Sequence, residues 1–145
     1  MPEFTHRFSR RAETGARHVN DGLLRLLAIL AQTKTDHSAL LFDEIENGIN
    51  PELVEALVNM LLSSRKQIFV TTHSPMVLNY LADEEAKGSV IFMYRNHRGY
   101  SRAKRFFDVQ EAGEKLALLG PGEVFIDTDL VRISEMLGEE EDRQR

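Results

Sequence analysis

Two acids at the end of one apolar stretch, and an imidazole at the end of another, are the residues best suited to chemistry. Leu40, Leu41 and Phe42 run directly into Asp43 and Glu44, and Ile68, Phe69 and Val70 run into Thr71, Thr72 and His73. A carboxylate one step beyond a strand can hold magnesium, directly or through water. A second carboxylate on the same turn can polarise a water for attack on a terminal phosphate. An imidazole ending the neighbouring strand can hydrogen-bond that phosphate or that water. Phosphoryl transfer needs mainly positioning and charge neutralisation, so this set suits a magnesium-nucleotide hydrolase. Glu46 adds a third acid on the same turn. The sequence holds no Gly-Lys dipeptide, and hence no GxxxxGK[ST] phosphate loop. These residues make half of a nucleotide site, without the half that grips the phosphates.

Placing such residues together requires adjacent parallel strands. Residues 39–42 and 67–71 read as two short strands. Between them Asn50-Pro51 is a helix start, with Asn50 as the cap and Pro51 in the first turn. Leu53, Leu57 and Leu61 follow at four-residue spacing, with Val54 and Val58 beside them, and predict a helix to about Ser63. Residues 23–32 are apolar on nearly every face, which predicts a helix buried between layers. A further helix is expected from Ser74 or Pro75 to about Leu81. The alternation of helix and strand between residues 23 and 81 predicts a parallel α/β sheet. Ligands of such sheets sit outside the carboxyl ends of the strands, where Asp43, Glu44 and His73 fall. Farther along, residues 89–94 and 100–106 predict a β-hairpin around Asn96-His97-Arg98-Gly99. Gly120-Pro121-Gly122 breaks the chain, and residues 130–137 predict a last helix.

A second place for an anion precedes these elements. His18-Val19-Asn20-Asp21-Gly22 leads into the 23–32 helix. Asn20 can cap that helix, Gly22 lets backbone approach a ligand closely, and a helix N-terminus offers free N–H groups. The same residues also describe an ordinary N-cap.

Length and composition narrow the classes. One domain is expected of 145 residues; three parts are read in it, an extended or mobile segment (1–18), the α/β body (19–137) and a disordered acidic tail (138–145). The absence of cysteine excludes disulfides and thiolate metal sites. The apolar run from Leu23 to Ala31 is interrupted by Arg25 and is too short to cross a bilayer, so no membrane partner is expected. The first residues are polar and basic rather than signal-like, and a cytoplasmic location is the expectation. The net charge of −5 is unevenly spread. Arg95, Arg98, Arg102, Lys104 and Arg105 follow one another with no acid between them. With Tyr94, Tyr100, Phe106 and Phe107 they offer an alternative surface for nucleic acid, through phosphates and stacking. The plainer reading is a solvated hairpin whose aromatics pack inward.

The stretch LLFDEIENGINP resembles the Walker B motif and D-loop of the ABC-type ATPase heads of the RecF/SMC-like and OLD-like group. TTHSP resembles their switch-histidine loop, and NDGLLRLLAIL their signature motif. The resemblance covers roughly residues 17–81. It implies a partial P-loop NTPase sheet, with Asp43 as the magnesium aspartate, Glu44 as the catalytic glutamate and His73 as the switch histidine. It places Asn47 to Asn50, including Gly48, in a D-loop crossing a dimer interface. Asn20, Asp21 and Gly22 would contact the γ-phosphate of ATP held by the opposite protomer. Asn20 stands where the family's signature serine is usual, and the phosphate-loop lobe is not among these residues. The chain is therefore expected to be the C-terminal lobe of a larger or split ATPase, binding ATP and magnesium with a Walker A lobe or partner chain, as a homodimer or oligomer. A non-enzymatic docking module is the alternative.

Overall fold

A computed structural model describes residues 20–143; the expected segment 1–18 lies outside them. The chain runs α1 (Asp21–Thr33), β1 (Ala39–Phe42), α2 (Pro51–Leu62), β2 (Gln67–Val70), α3 (Pro75–Leu78), α4 (Asp83–Ser89), β3 (Ile91–Arg95) and β4 (Ser101–Arg105). A 3₁₀ turn at Phe106–Asp108 leads to α5 (Gln110–Leu116), α6 (Pro121–Asp127) and α7 (Leu130–Arg143).

The first half is a β–α–β unit. β1 and β2 pair in parallel, from Ala39 beside Gln67 to Phe42 beside Val70. α2 starts where the Asn-Pro signal sets it: the Asn50 side chain accepts from Glu52 N at 3.1 Å, and Pro51 fills the first turn. Its Val54, Leu57, Val58 and Leu61 form a core with Ile29 of α1, Ile45 and Ile49 of the β1–α2 turn, and Val77 of α3. Lys66 clamps the strand entry, donating from Nζ to the carbonyl of His37 at 2.9 Å and to that of Thr35.

Two expectations about burial are overturned here. α1 is not buried between layers: Leu23, Leu24 and Leu27 are exposed, and only Gly22 and Ile29 are buried. β1 is not an interior strand: Leu40 is buried, but Leu41 on the other face is 76% exposed, and its neighbour Phe69 is 52% exposed. Apolar residues on both faces are the pattern of a parallel sheet covered on both sides. Among the described residues, only one side is covered.

The second half builds its own core. Phe106 packs edge-on against Phe107 at 5.0 Å and Phe125 at 6.0 Å, and Phe92 lies 5.9 Å away. Val109, Ala112, Leu116, Val124, Ile133 and Leu137 close this cluster. The hairpin forms where it is expected, in antiparallel register from Ile91 beside Arg105 to Arg95 beside Ser101. Its turn is held by buried Asn96, whose Oδ1 accepts from Arg98 N at 3.2 Å and Tyr100 N at 2.9 Å. The two halves meet at α3 and α6, where Asn79 Oδ1 accepts from Gly122 N at 2.8 Å.

Several boundaries differ from expectation: α1 starts at Asp21 rather than Leu23, β2 ends at Val70 rather than Thr71, and the hairpin strands are Ile91–Arg95 and Ser101–Arg105. α3 ends at Leu78, before the expected Leu81, and α4 follows after a short break. Gly120-Pro121-Gly122 starts a helix rather than merely interrupting the chain; Glu123 reaches back to Gly120 N at 3.1 Å. The acidic tail is helical as far as Arg143, because α7 continues past Leu137. Glu139 pairs with Arg143 one turn on at 3.2 Å, and Glu140 meets Lys104 of the hairpin at 3.7 Å. Contacts of that kind favour helix over coil.

Candidate functional site

The parallel register decides where the acids and the imidazole go. Phe42 and Val70 are neighbours, so the residues that follow them leave the sheet together. Phe42 O accepts from Thr71 N at 2.9 Å, and Thr71 O accepts from Ile45 N at 3.2 Å. The Thr71 hydroxyl accepts from Glu44 N at 2.8 Å and donates to Asp43 Oδ1. One threonine thus fixes the carboxylate of Asp43 and the backbone of Glu44.

Glu44 sits at φ +47°, in the left-handed region. A non-glycine residue there carries a cost of about 1 kcal/mol or more and persists only where its surroundings hold it. The side chain then lies between two partners. Its Oε1 is 3.8 Å from His73 Nε2, and its Oε2 accepts from Asn47 Nδ2 at 3.2 Å. The His73 side chain is 88% exposed and that of Glu44 45%. A contact so open to water contributes little stability, so it is one of position. Glu46 turns inward, with Oε1 accepting from His73 N at 3.2 Å and Oε2 buried without a hydrogen-bond partner among the described residues.

The second anion-facing element lies beside the first. Asn20 caps α1, its Oδ1 accepting from Gly22 N at 2.6 Å. This leaves the Asn20 amide nitrogen as the group it can offer a ligand. Gly22 presses against the β1–α2 turn so closely that a Cβ there would fall 1.7 Å from the carbonyl oxygen of Gly48. Gly48 itself has φ +72°. Asp21, Gly22, Arg25, Asn47 and Gly48 line an open cavity of about 270 Å³. The structure therefore brings Asp43, Glu44 and His73 together at one sheet edge. It groups Asn20, Asp21, Gly22, Asn47 and Gly48 at an adjoining surface, with Asn47 reaching between the two.

Asp43 keeps one oxygen without a hydrogen bond among the described residues, which suits a hard cation. No group of three or more His, Asp or Glu side chains forms a metal cluster among the described residues. Asp43 fits magnesium as one of a few protein ligands, the remainder being water and phosphate oxygens.

Two residues with structural roles here were not assigned one from sequence. Thr71 had a signal: it follows β2 at the register position opposite Asp43. Arg25 had another, as the one charge inside an apolar helix run; its Nη2 donates to the carbonyls of Asp43 at 2.6 Å and Glu44 at 2.9 Å. The basic hairpin keeps Phe106 and Phe107 buried, and Tyr100 lies beneath Arg102 at 5.6 Å. Asp127 pairs with Lys115 at 3.0 Å, while Asp129 caps α7.

Replacing Thr71 by valine keeps the shape and removes the hydroxyl. Glu44 N and Asp43 then lose a partner. The expected cost is about 1–3 kcal/mol, read as a lower denaturant midpoint at unchanged slope. An unchanged midpoint would show that the hydroxyl holds nothing.

A family model described as "AAA domain, putative AbiEii toxin, Type IV TA system" matches residues 3–79, a span that includes Asn20, Asp21, Gly22, Asp43, Glu44, Asn47, Gly48 and His73 but not the basic hairpin. No curated protein and no solved structure matches the chain.

Proposed function

The chain belongs to this AAA-domain family, and from that premise we propose that it supplies one lobe of a composite ATPase site of the ABC type. The observation that carries the reading is the meeting of Asp43, Glu44 and His73 at the carboxyl edge of β1 and β2, with Glu44 and His73 3.8 Å apart. Asp43 would be the carboxylate that holds magnesium, which when bound neutralises phosphate charge. Glu44 would accept a proton from the attacking water. His73 would orient that water or the terminal phosphate. Asn20, through its amide nitrogen, and Asp21, through its backbone N–H, would face the phosphates of ATP held by a second protomer, and Gly22, whose own N–H goes to the cap, would allow the close approach. The Asp21 carboxylate would oppose a phosphate, so it is its backbone that would serve.

Two features support a partner. The site is open to water, whereas phosphoryl transfer is favoured where water is excluded. The exposed side of the β1–β2 sheet offers Leu41 and Phe69 to whatever covers it. A polypeptide carrying GxxxxGK[ST] would cover that side and provide the phosphate grip. Alone, the chain would bind ATP weakly and turn it over little.

Mixing tests this directly. Purified chain is combined with a separately made polypeptide bearing a GxxxxGK[ST] phosphate loop, and phosphate release from Mg-ATP is followed. The expected result is hydrolysis by the mixture well above either component. Strong hydrolysis by this chain alone would overturn the composite site. The same open sheet face favours a second reading, a docking module without catalysis; tight complex formation with no hydrolysis would select it.

A further inference from the structure

We propose that Arg25 is a positioning residue that locks Glu44 into its left-handed backbone conformation. The inference deepens the reading above, in which Glu44 is the proton acceptor, but its structural part stands without it. Arg25 is half-buried, on the face of α1 turned towards the β1–α2 turn. Its guanidinium meets no carboxylate among the described residues. Instead a single nitrogen, Nη2, donates to two successive carbonyls, Asp43 O at 2.6 Å and Glu44 O at 2.9 Å.

The geometry explains why two bonds fall to one nitrogen. In extended backbone, successive carbonyls point to opposite sides. In a helical conformation of either hand they point the same way. Glu44 at φ +47° is left-handed, so the carbonyls on either side of it converge. A donor that binds both favours that conformation over the extended one. Thr71 completes the grip from the amide side, taking Glu44 N on its hydroxyl and Ile45 N on its carbonyl. A charged donor makes stronger bonds than a neutral one, which suits it to holding a strained residue.

The consequence is a rigid link. α1 carries Asn20 and Gly22 at its start and Arg25 one turn on. The same helix that would face a partner's phosphates thus holds the residue that would accept the proton. An arginine inside an otherwise apolar helix run is thereby accounted for.

Amide hydrogen exchange of the full 145-residue chain, followed by NMR, tests the lock. Arg25→Met keeps length and apolar stem but removes both bonds; Arg25→Lys keeps charge and offers only a compact donor. In Arg25→Met the amides of Ile45 and Asn47 are expected to exchange about tenfold faster or more, and the Glu44 amide resonance to move. The amides of Gly113 and Val124, in the second core, should keep wild-type protection and so report that the fold is intact. Arg25→Lys should fall between. Turn amides within about twofold of wild type in Arg25→Met, or equal acceleration everywhere, would overturn the proposal. In the hydrolysing mixture, Arg25→Met should lower kcat with little change in KM. Accelerated turn exchange in a mixture that shows no Glu44-dependent hydrolysis would keep the lock and reject the ATPase reading.

Discussion

Glu44→Gln is expected to abolish hydrolysis by the mixed assembly, with turnover falling by about 10²–10⁴-fold while ATP still binds. The substitution changes one oxygen for an amide and keeps length and shape. Glutamine tolerates φ +47° no worse than glutamate, so no new backbone strain enters. The amide oxygen can still accept from Asn47 Nδ2, which now bonds Glu44 Oε2. What disappears is the charge that would take a proton from water and face His73 Nε2 at 3.8 Å. A loss of kcat at preserved ATP binding therefore isolates chemistry from folding. Trapping of ATP by the variant, seen as a slower release of labelled nucleotide than from wild type, would accompany it. Turnover within a few-fold of wild type would remove Glu44 from the reaction and with it the role proposed for this edge of the sheet.

Where local chemistry fixes an element, the sequence sufficed. Asn50-Pro51 set the start of α2 to the residue, because both its signals act within the first helical turn. For α1 the Asn20 cap was legible, although the apolar pattern placed the helix at residues 23–32 and it runs Asp21–Thr33. The hairpin was legible because an Asn-to-Gly turn separates two strands whose pairing is local. Burial was not legible in the same way. An apolar helix and two apolar strands announce that they want cover, but not whether the cover lies within the same residues. Leu27, Leu41 and Phe69 are apolar for a reason that only a covered second face would satisfy.

The site divides along the same line. Asp43, Glu44 and His73 could be singled out because each directly follows a strand, and parallel register then carries them to one edge. Thr71 and Arg25 act through hydrogen bonds spanning 28 and 18 residues of sequence, and no local pattern encodes such pairings. α4, α5 and α6 were not read from the sequence, and α5 shows a related reason. α5 has good helix formers in Gln110, Glu111 and Ala112, but it is only seven residues long and contains Gly113, so it is marginal on its own. It is held by tertiary packing of Ala112 and Leu116 into the aromatic core, and by Lys115, which bridges Glu111 and Asp127 at 3.0 Å each.

Gly22→Ala is expected to have the largest effect on stability of any single methyl added to the described glycines. The new Cβ would lie 1.7 Å from Gly48 O and 2.8 Å from Gly48 C, both backbone atoms, so no side chain can swing aside. Either α1 lifts from the β1–α2 turn or the turn deforms. Overpacking of this kind costs about 1–3 kcal/mol and sometimes more, against a helix-propensity gain of at most about 1 kcal/mol for alanine over glycine. Gly48→Ala is the control. Among the described residues nothing lies within 4 Å of its Cβ, and its cost comes from φ +72°, about 1 kcal/mol. Thermal unfolding should therefore rank wild type above Gly48→Ala, and Gly48→Ala above Gly22→Ala, with each kcal/mol worth a few degrees. Equal midpoints for Gly22→Ala and wild type would show that α1 does not press on the turn. In that case the Asn20 cap, the Arg25 clasp and Glu44 are not one rigid unit, and the two proposed nucleotide surfaces can move independently.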